Sequence, residues 1–327
     1  MRKPLLITLL VPLLMISGCV IPGTDFRIPI ISDLFGPNVE EFRHDVVFIQ
    51  SLQAIPSHTI RSGQTLTLRA YVQNLQKPES DPQETVEIEL YDDCGIFETT
   101  GSICTGGSFQ DKKCTIDKMY PQSTAIVDWK MKANSMRIKT PCDVGVLVSY
   151  TYTTHTTSSV SFVNQQELEN LISQGKTFSE KGTIVVGEGP VKSYIEAPDQ
   201  PIMVDIRPDA DVKSTGKGMM TFWVENRGRG ELEGNTIVKD DIEIGCAKSE
   251  ATGEEEVTGC EKCKEKIDEE GLKLIGKTSP KFSCEIEPRN PGWITQEKTY
   301  QLTSKIKYSY KFTKKIRLTI EPEIELD

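Results

Sequence analysis

The chain has 327 residues, with 38 lysines and arginines against 48 aspartates and glutamates, a formal net charge of −10. That acidic balance speaks against nucleic acid as a partner, because affinity for phosphate backbones comes from clustered lysine and arginine. The length suits two domains of the usual ~100–200 residues.

Arg2 and Lys3 give a positive start, and residues 5–16 are apolar apart from Thr8 and Pro12. A bilayer core needs about 20 residues of helix, so this run is too short to span comfortably. It has the length and flanks of the hydrophobic region of an export signal. The small pair Ser17-Gly18 before Cys19 resembles the lipobox of prokaryotic lipoproteins. That resemblance implies cleavage before Cys19, a lipid on its sulfur, and a body moored by lipid to the extracytoplasmic face of the cell membrane. Stable anchoring takes more than one acyl chain, since each buried CH₂ contributes about 0.8 kcal/mol. Residues 1–18 then form a signal peptide. Residues 19–43, with Pro22, Gly23, Pro29, Gly36 and Pro37, form a lipidated tether.

From His44 the pattern is alternation of period two, the mark of half-buried strands. Leu66, Leu68, Ala70 and Val72 alternate with polar neighbours, as do Val86, Ile88 and Leu90. Val127, Trp129 and Met131 follow, then Val144, Val146, Val148, Tyr150 and Tyr152. Thr151 to Ser161 reads as a polar hairpin. Asn164-Gln165-Gln166-Glu167 predicts a capping box opening one short helix near 164–174, stopped by Gly175. Ile184, Val185 and Val186 give a further strand, and Gly and Pro residues then place a domain boundary near 198.

The second half repeats the pattern in Met220, Phe222 and Val224, then Ile242, Ile244 and Cys246. Ile306, Tyr308, Tyr310 and Phe312 predict a late strand, with Ile316, Leu318 and Ile320 on the next. Lys305, Lys307, Lys311, Lys314, Lys315 and Arg317 would guard this hairpin against edge pairing. The expected fold is all-β: two tandem immunoglobulin-like sandwiches, residues 44–197 with a helical and strand extension, and residues 198–327.

The halves read as copies. Val72-Gln73-Asn74 matches Val224-Glu225-Asn226, and Tyr150-Thr151-Tyr152 matches Tyr308-Ser309-Tyr310. The strand ending at Cys94 matches the one ending at Cys246. Cys114-Thr115-Ile116-Asp117 matches Cys284-Glu285-Ile286-Glu287. The run Val224-Glu225-Asn226-Arg227-Gly228 resembles the CARDB-type immunoglobulin-like modules of archaeal and bacterial surface proteins; the first copy has Gln76 in place of the glycine. The resemblance implies an archaeal-type surface lipoprotein with an adhesive or spacer role, and supplies no catalytic residue.

Nine cysteines are present. With Cys19 reserved for lipid, Cys94, Cys104, Cys114 and Cys142 fall in the first half, and Cys246, Cys260, Cys263 and Cys284 in the second. Even sets in an exported chain read as disulfides, with three possible pairings per half. The repeat predicts Cys94–Cys114 and Cys246–Cys284, leaving Cys104–Cys142 and Cys260–Cys263. The rival in the second half is Cys246–Cys260 with Cys263–Cys284. Cys260-Glu261-Lys262-Cys263 has redox-motif spacing, but lacks βαβ surroundings and sits near Glu254, Glu255 and Glu256. A four-thiolate zinc site is the other alternative.

Gly271-Leu272-Lys273-Leu274-Ile275-Gly276-Lys277-Thr278 matches the phosphate-loop pattern, yet Pro280 opposes the helix that must follow. We read Gly271, Gly276, Lys277 and Thr278 as a chance match. His44, His58 and His155 are far apart in sequence. The sequence implies no cofactor, metal or catalytic residue. The expectation is a non-catalytic surface module whose partners are the membrane, through Cys19, and an envelope protein or polymer. The alternative is an extracytoplasmic subunit capturing a small molecule, glycan or cation for a transporter. An aromatic-lined pocket between the halves would favour the latter, and flat polar faces the former.

Overall fold

The computed structural model describes residues 44–176, 182–206, 216–249 and 253–323, so the leader, Cys19 and the tether lie outside the described residues. The first half contributes β1 (Val47–Ile55), β2 (Thr59–Arg61), β3 (Thr65–Asn74), β4 (Gln83–Asp92) and β5 (Phe97–Cys104). It continues with β6 (Ser108–Gln110), β7 (Lys113–Met119), β8 (Thr124–Ala133), β9 (Thr140–Asn164) and helix α1 (Gln165–Ser173). Then come β10 (Ile184–Val186), β11 (Val191–Glu196), β12 (Ile202–Val204), β13 (Gly218–Asn226), β14 (Glu231–Leu232), β15 (Thr236–Ile237) and β16 (Ile242–Gly245). The chain closes with β17 (Val257–Thr258), helix α2 (Cys260–Glu265), β18 (Leu272–Lys273), β19 (Phe282–Pro288) and β20 (Glu297–Glu321). The fold is all-β.

Two strands of 25 residues each, β9 and β20, run antiparallel through both halves, paired from Thr140–Ile320 to Val163–Glu297. Around them the large sheet has the order β14-β20-β9-β4-β7-β6, with β2 and β16 also on β20 and β10 and β12 on β9. Two four-stranded sheets complete the layers, β1-β3-β8-β5 and β11-β13-β19-β17. Along β20 the residues Tyr300, Leu302, Ile306, Tyr308, Tyr310, Leu318 and Ile320 are buried. On β9, Val144, Val146, Val148, Tyr150, Val160 and Phe162 are buried too. Their even spacing puts all of them on one face of the long pair. Both smaller sheets therefore pack on that face, and one hydrophobic cluster runs through both halves. The opposite face carries Thr151, His155, Thr303, Lys305, Lys307 and Ser309, all exposed.

The repeat is realised as a pseudo-two-fold. The equivalent segments Tyr150-Thr151-Tyr152 and Tyr308-Ser309-Tyr310 lie directly opposite each other, so Thr151 faces Ser309. β1 on β3 corresponds to β11 on β13, with Val47 opposite Asn74 and Val191 opposite Asn226. β2 runs parallel to the end of β20 as β12 runs parallel to the end of β9. The asparagines fold the same turn: Asn74 Oδ1 accepts the Gln76 amide and Asn226 Oδ1 the Gly228 amide, at 2.9 and 3.0 Å.

Several expectations are corrected. β9 continues through Thr151–Ser161 instead of turning, because the hydroxyls that make it look polar find buried partners. Thr156 Oγ1 donates to Ser193 O at 2.9 Å, Thr154 Oγ1 donates to Val191 O at 2.8 Å, and the Ser193 and Ser304 hydroxyls meet at 2.7 Å. Ile306 to Ile320 is likewise one strand. β9 lines one side of β20, while on the other β16, β14 and β2 cover only 303–306, 310–311 and 319–321; beside the stretch between, Lys314 Nζ donates to Gln50 O, at 2.9 Å, on edge strand β1. Strand β11, Val191–Glu196, which pairs with β13, precedes the domain boundary expected near 198. Helix α1 has its asparagine cap, with Asn164 Oδ1 accepting the Gln166 amide, but not the reciprocal half of the box. The Asn164 amide bonds Gln296 O.

Candidate functional site: the seam between the halves

Four tyrosines mark the pseudo-two-fold. The rings of Tyr150 and Tyr310 lie 5.7 Å apart and those of Tyr152 and Tyr308 lie 6.3 Å apart. Tyr150 hydroxyl accepts the Val46 amide at 3.4 Å, and Tyr308 hydroxyl accepts the Val191 amide at 3.2 Å, so each ties a first strand of a half to the central pair. Burial pushes the Tyr150, Tyr308 and Tyr310 phenols above their ordinary value, which keeps them neutral donors.

Asp45, only 4 % exposed, reaches from the start of the first half into the second. Its carboxylate accepts the Arg229 amide at 3.2 Å and the Tyr310 hydroxyl at 3.4 Å, and Tyr310 also donates to Asn226 Oδ1 at 3.2 Å. Burial raises the Asp45 pKa, against the opposing pull of the Arg229 amide and Tyr310 hydroxyl. This contact explains the glycine of the Val-x-Asn-x-Gly run: a Cβ on Gly228 would collide with the Tyr310 hydroxyl and the Asp45 carboxylate.

The cysteines pair as Cys94–Cys142, Cys104–Cys114, Cys246–Cys260 and Cys263–Cys284, with Cα separations of 6.1, 5.9, 5.6 and 5.4 Å. The pairing predicted from the repeat, Cys94–Cys114 with Cys104–Cys142 and Cys246–Cys284 with Cys260–Cys263, is thereby corrected; the rival pairing is the one found in the second half. The physical reason is a strand offset. β19 pairs with β13 as β8 pairs with β3, so Cys284, opposite Met220, stands where Trp129 stands opposite Leu68. Cys114 lies instead on β7, a strand the second half replaces with α2. Both cysteines of Cys260-Glu261-Lys262-Cys263 are buried on α2, and each bonds a different neighbour, one beside β16 and one on β19. No thiolate remains there for redox exchange or for zinc.

Residues 271–278 form β18 and a tight turn. Ile275 amide bonds Thr278 O at 3.0 Å, Lys277 Nζ donates to Gly228 O at 3.1 Å, and no helix follows. The acidic run is engaged in ion pairs, Glu254 with Arg289 at 3.3 Å and Glu256 with Lys298 at 3.0 Å. The sequence reading missed Asp45 and a groove beside Tyr152. That groove is open, about 640 Å³ in volume, and polar, with Asp81, Glu84, Thr151, Thr153 and Lys307 around the single aromatic ring. The signal for it lay in the repeat itself: Pro78 stands where the second copy has Gly230.

Four disulfides through an all-β body define a protein of an oxidising, extracellular compartment. Among the described residues no helix is long and apolar enough to cross a membrane. No protein-family model matches the chain, and no curated protein does. Among solved structures, the C-terminal domain of the AgI/II polypeptide BspA of Streptococcus agalactiae is similar at 10% identity and a TM-score of 0.17. The alignment covers 84% of this chain and 96% of that one. At that score neither its fold nor its role transfers to this chain.

Proposed function

We propose that the chain is a non-catalytic surface module of a prokaryotic, archaeal-type cell envelope. In this reading it is moored to the outer face of the membrane through a lipid on Cys19, and it acts as a structural or adhesive element. The observation that carries this is the unbroken β9–β20 pair. Two sandwiches joined by a flexible linker swing relative to one another, whereas about 80 Å of continuous strand holds them as one stiff body. A stiff body with a polar outer face suits presentation of surfaces at a distance from the membrane. The transporter-subunit reading fares less well for an apolar small molecule: such pockets are lined mainly by apolar and aromatic groups, while the seam groove is polar and has one tyrosine.

Protease added to intact cells tests the proposal, together with the mass of the membrane-bound chain. The expected result is digestion of the body from outside and a first residue, Cys19, carrying lipid mass that Cys19→Ala abolishes. Protection of the body in intact cells, or an unmodified mature N-terminus, would contradict it.

A further inference from the structure

The two halves treat one equivalent position differently. After Asn226 the chain reaches Gly230 and then lays β14 on β20, with Glu231 opposite Lys311 and Leu232 opposite Tyr310. That approach needs glycine, because a Cβ at Gly230 would collide with the Lys311 carbonyl oxygen. Counting on equally from Asn74 brings Pro78 to this place. Proline has both a Cβ and no N–H, and the segment turns away, with the Ser80 amide bonding Lys77 O at 2.9 Å. Among the described residues no strand then covers β9 at Thr153, the counterpart of Lys311.

What the missing strand leaves is the open groove of about 640 Å³. On its floor the backbone of β9 faces outward at alternate residues. Thr151 O accepts Gln83 Nε2 at 2.7 Å and His155 O accepts the Gly187 amide at 2.8 Å. Between them the Thr153 N–H and C=O point the same way and have no partner among the described residues. One residue of open edge is too short to add a peptide strand, which draws its affinity from a row of main-chain bonds. It does suit a compact ligand that both donates and accepts. On the outer side of this edge stand the Thr151 and Thr153 side chains and Lys307, the one cation in the lining, and on the inner side the half-buried Tyr152 ring; the Asp81 and Glu84 carboxylates complete the lining. Hydroxyl-rich rings with an apolar C–H face match such a surface: carboxylates and carbonyls accept their O–H groups, and an aromatic ring covers the face. The net negative lining repels anionic polymers.

We propose that the seam groove of the first half is a binding site for a neutral saccharide unit of a surface polymer. The proposal rests on the surface-module reading and gives its adhesive role a ligand class. The test is a saturation-transfer and titration experiment on the full chain in a sugar-free detergent. Its probes are maltotriose, mannotriose and chitotriose, with trigalacturonate and triglycine for comparison. At least one neutral trisaccharide should bind with a Kd of about 1 mM or tighter, and Thr151→Arg, which plugs the groove from an exposed position, should weaken it at least tenfold. Glu84→Gln should weaken it several-fold, and both variants should keep the wild-type unfolding midpoint. No neutral trisaccharide bound, preference for trigalacturonate or triglycine, or unchanged binding by Thr151→Arg would overturn the proposal. Failure here leaves protease accessibility and the Cys19 lipid untouched, so the two readings fail separately.

Discussion

On the strand beside β3, the residue opposite Leu68 is Trp129, fully buried, with its Nε1 donating to Lys112 O at 3.0 Å and Phe109 edge-on at 6.3 Å. On the matching strand of the second half, the residue opposite Met220 is Cys284, bonded to Cys263 of α2. The first half extends its sheet with the β6–β7 hairpin and fills the centre with a large ring. The second lacks that hairpin and clamps a six-residue helix to both sheets by two disulfides. Its interface with β9 is lined by hydroxyls where the first half has Val144, Val146 and Val148. Each half carries two disulfides, but at this one position the first half packs a large ring and the second bonds a helix across its sheets.

The largest effect that would break this comparison is expected at Trp129. Trp129→Ala should cost about 3–5 kcal/mol in urea unfolding, through lost transfer energy and a residual cavity. A cost below about 1 kcal/mol would mean the ring does not anchor the first half. The double change Cys263→Ala with Cys284→Ala should cost about 2–4 kcal/mol by freeing the unfolded chain. It should leave the first half's protection from amide exchange unchanged. Equal loss of protection in both halves would show that the halves do not differ in the way described. Gly228→Ala should cost about 1–3 kcal/mol, because its Cβ has no room beside Tyr310 and Asp45. The same substitution at Gln76, its counterpart, should be milder.

The smallest effect is at Lys192, 9 % exposed on β11, whose ammonium donates to Gly187 O. Burial lowers its pKa from 10.5 to about 8, with the Glu188 charge opposing. A base with a depressed folded pKa contributes its full stability above the unfolded value. That contribution is lost as pH falls through the folded one. Stability should therefore decline between pH 10.5 and about 8 on this account, and Lys192→Met should flatten that slope and add about 1–2 kcal/mol at pH 7. A slope surviving the substitution would assign it elsewhere.

The period-two runs at Leu66–Val72 and Ile306–Phe312 carried the all-β class, since alternation reports a half-buried strand whatever its partners. The helix cap at Asn164 was equally visible. Strand identity was not. Cys114-Thr115-Ile116 and Cys284-Glu285-Ile286 look alike letter by letter but occupy different strands, and the disulfide pairing went astray with them. Thr154, Thr156 and Ser158 read as part of a polar hairpin because buried hydroxyls satisfied by neighbours look the same in sequence as solvated ones. Asp45 lies next to the tether and carries no local signal; its burial depends on Arg229 and Tyr310, distant in the chain. The seam groove was legible in principle, as a proline aligned with a glycine, once the strand that glycine admits is known.

The most direct test of the account is peptide mapping, without reduction, of the protein taken from the membrane fraction. It should yield Cys94–Cys142, Cys104–Cys114, Cys246–Cys260 and Cys263–Cys284 linked peptides from one chain. Free thiols throughout, or Cys260 linked to Cys263, would contradict an exported body whose second half is held together by its helix.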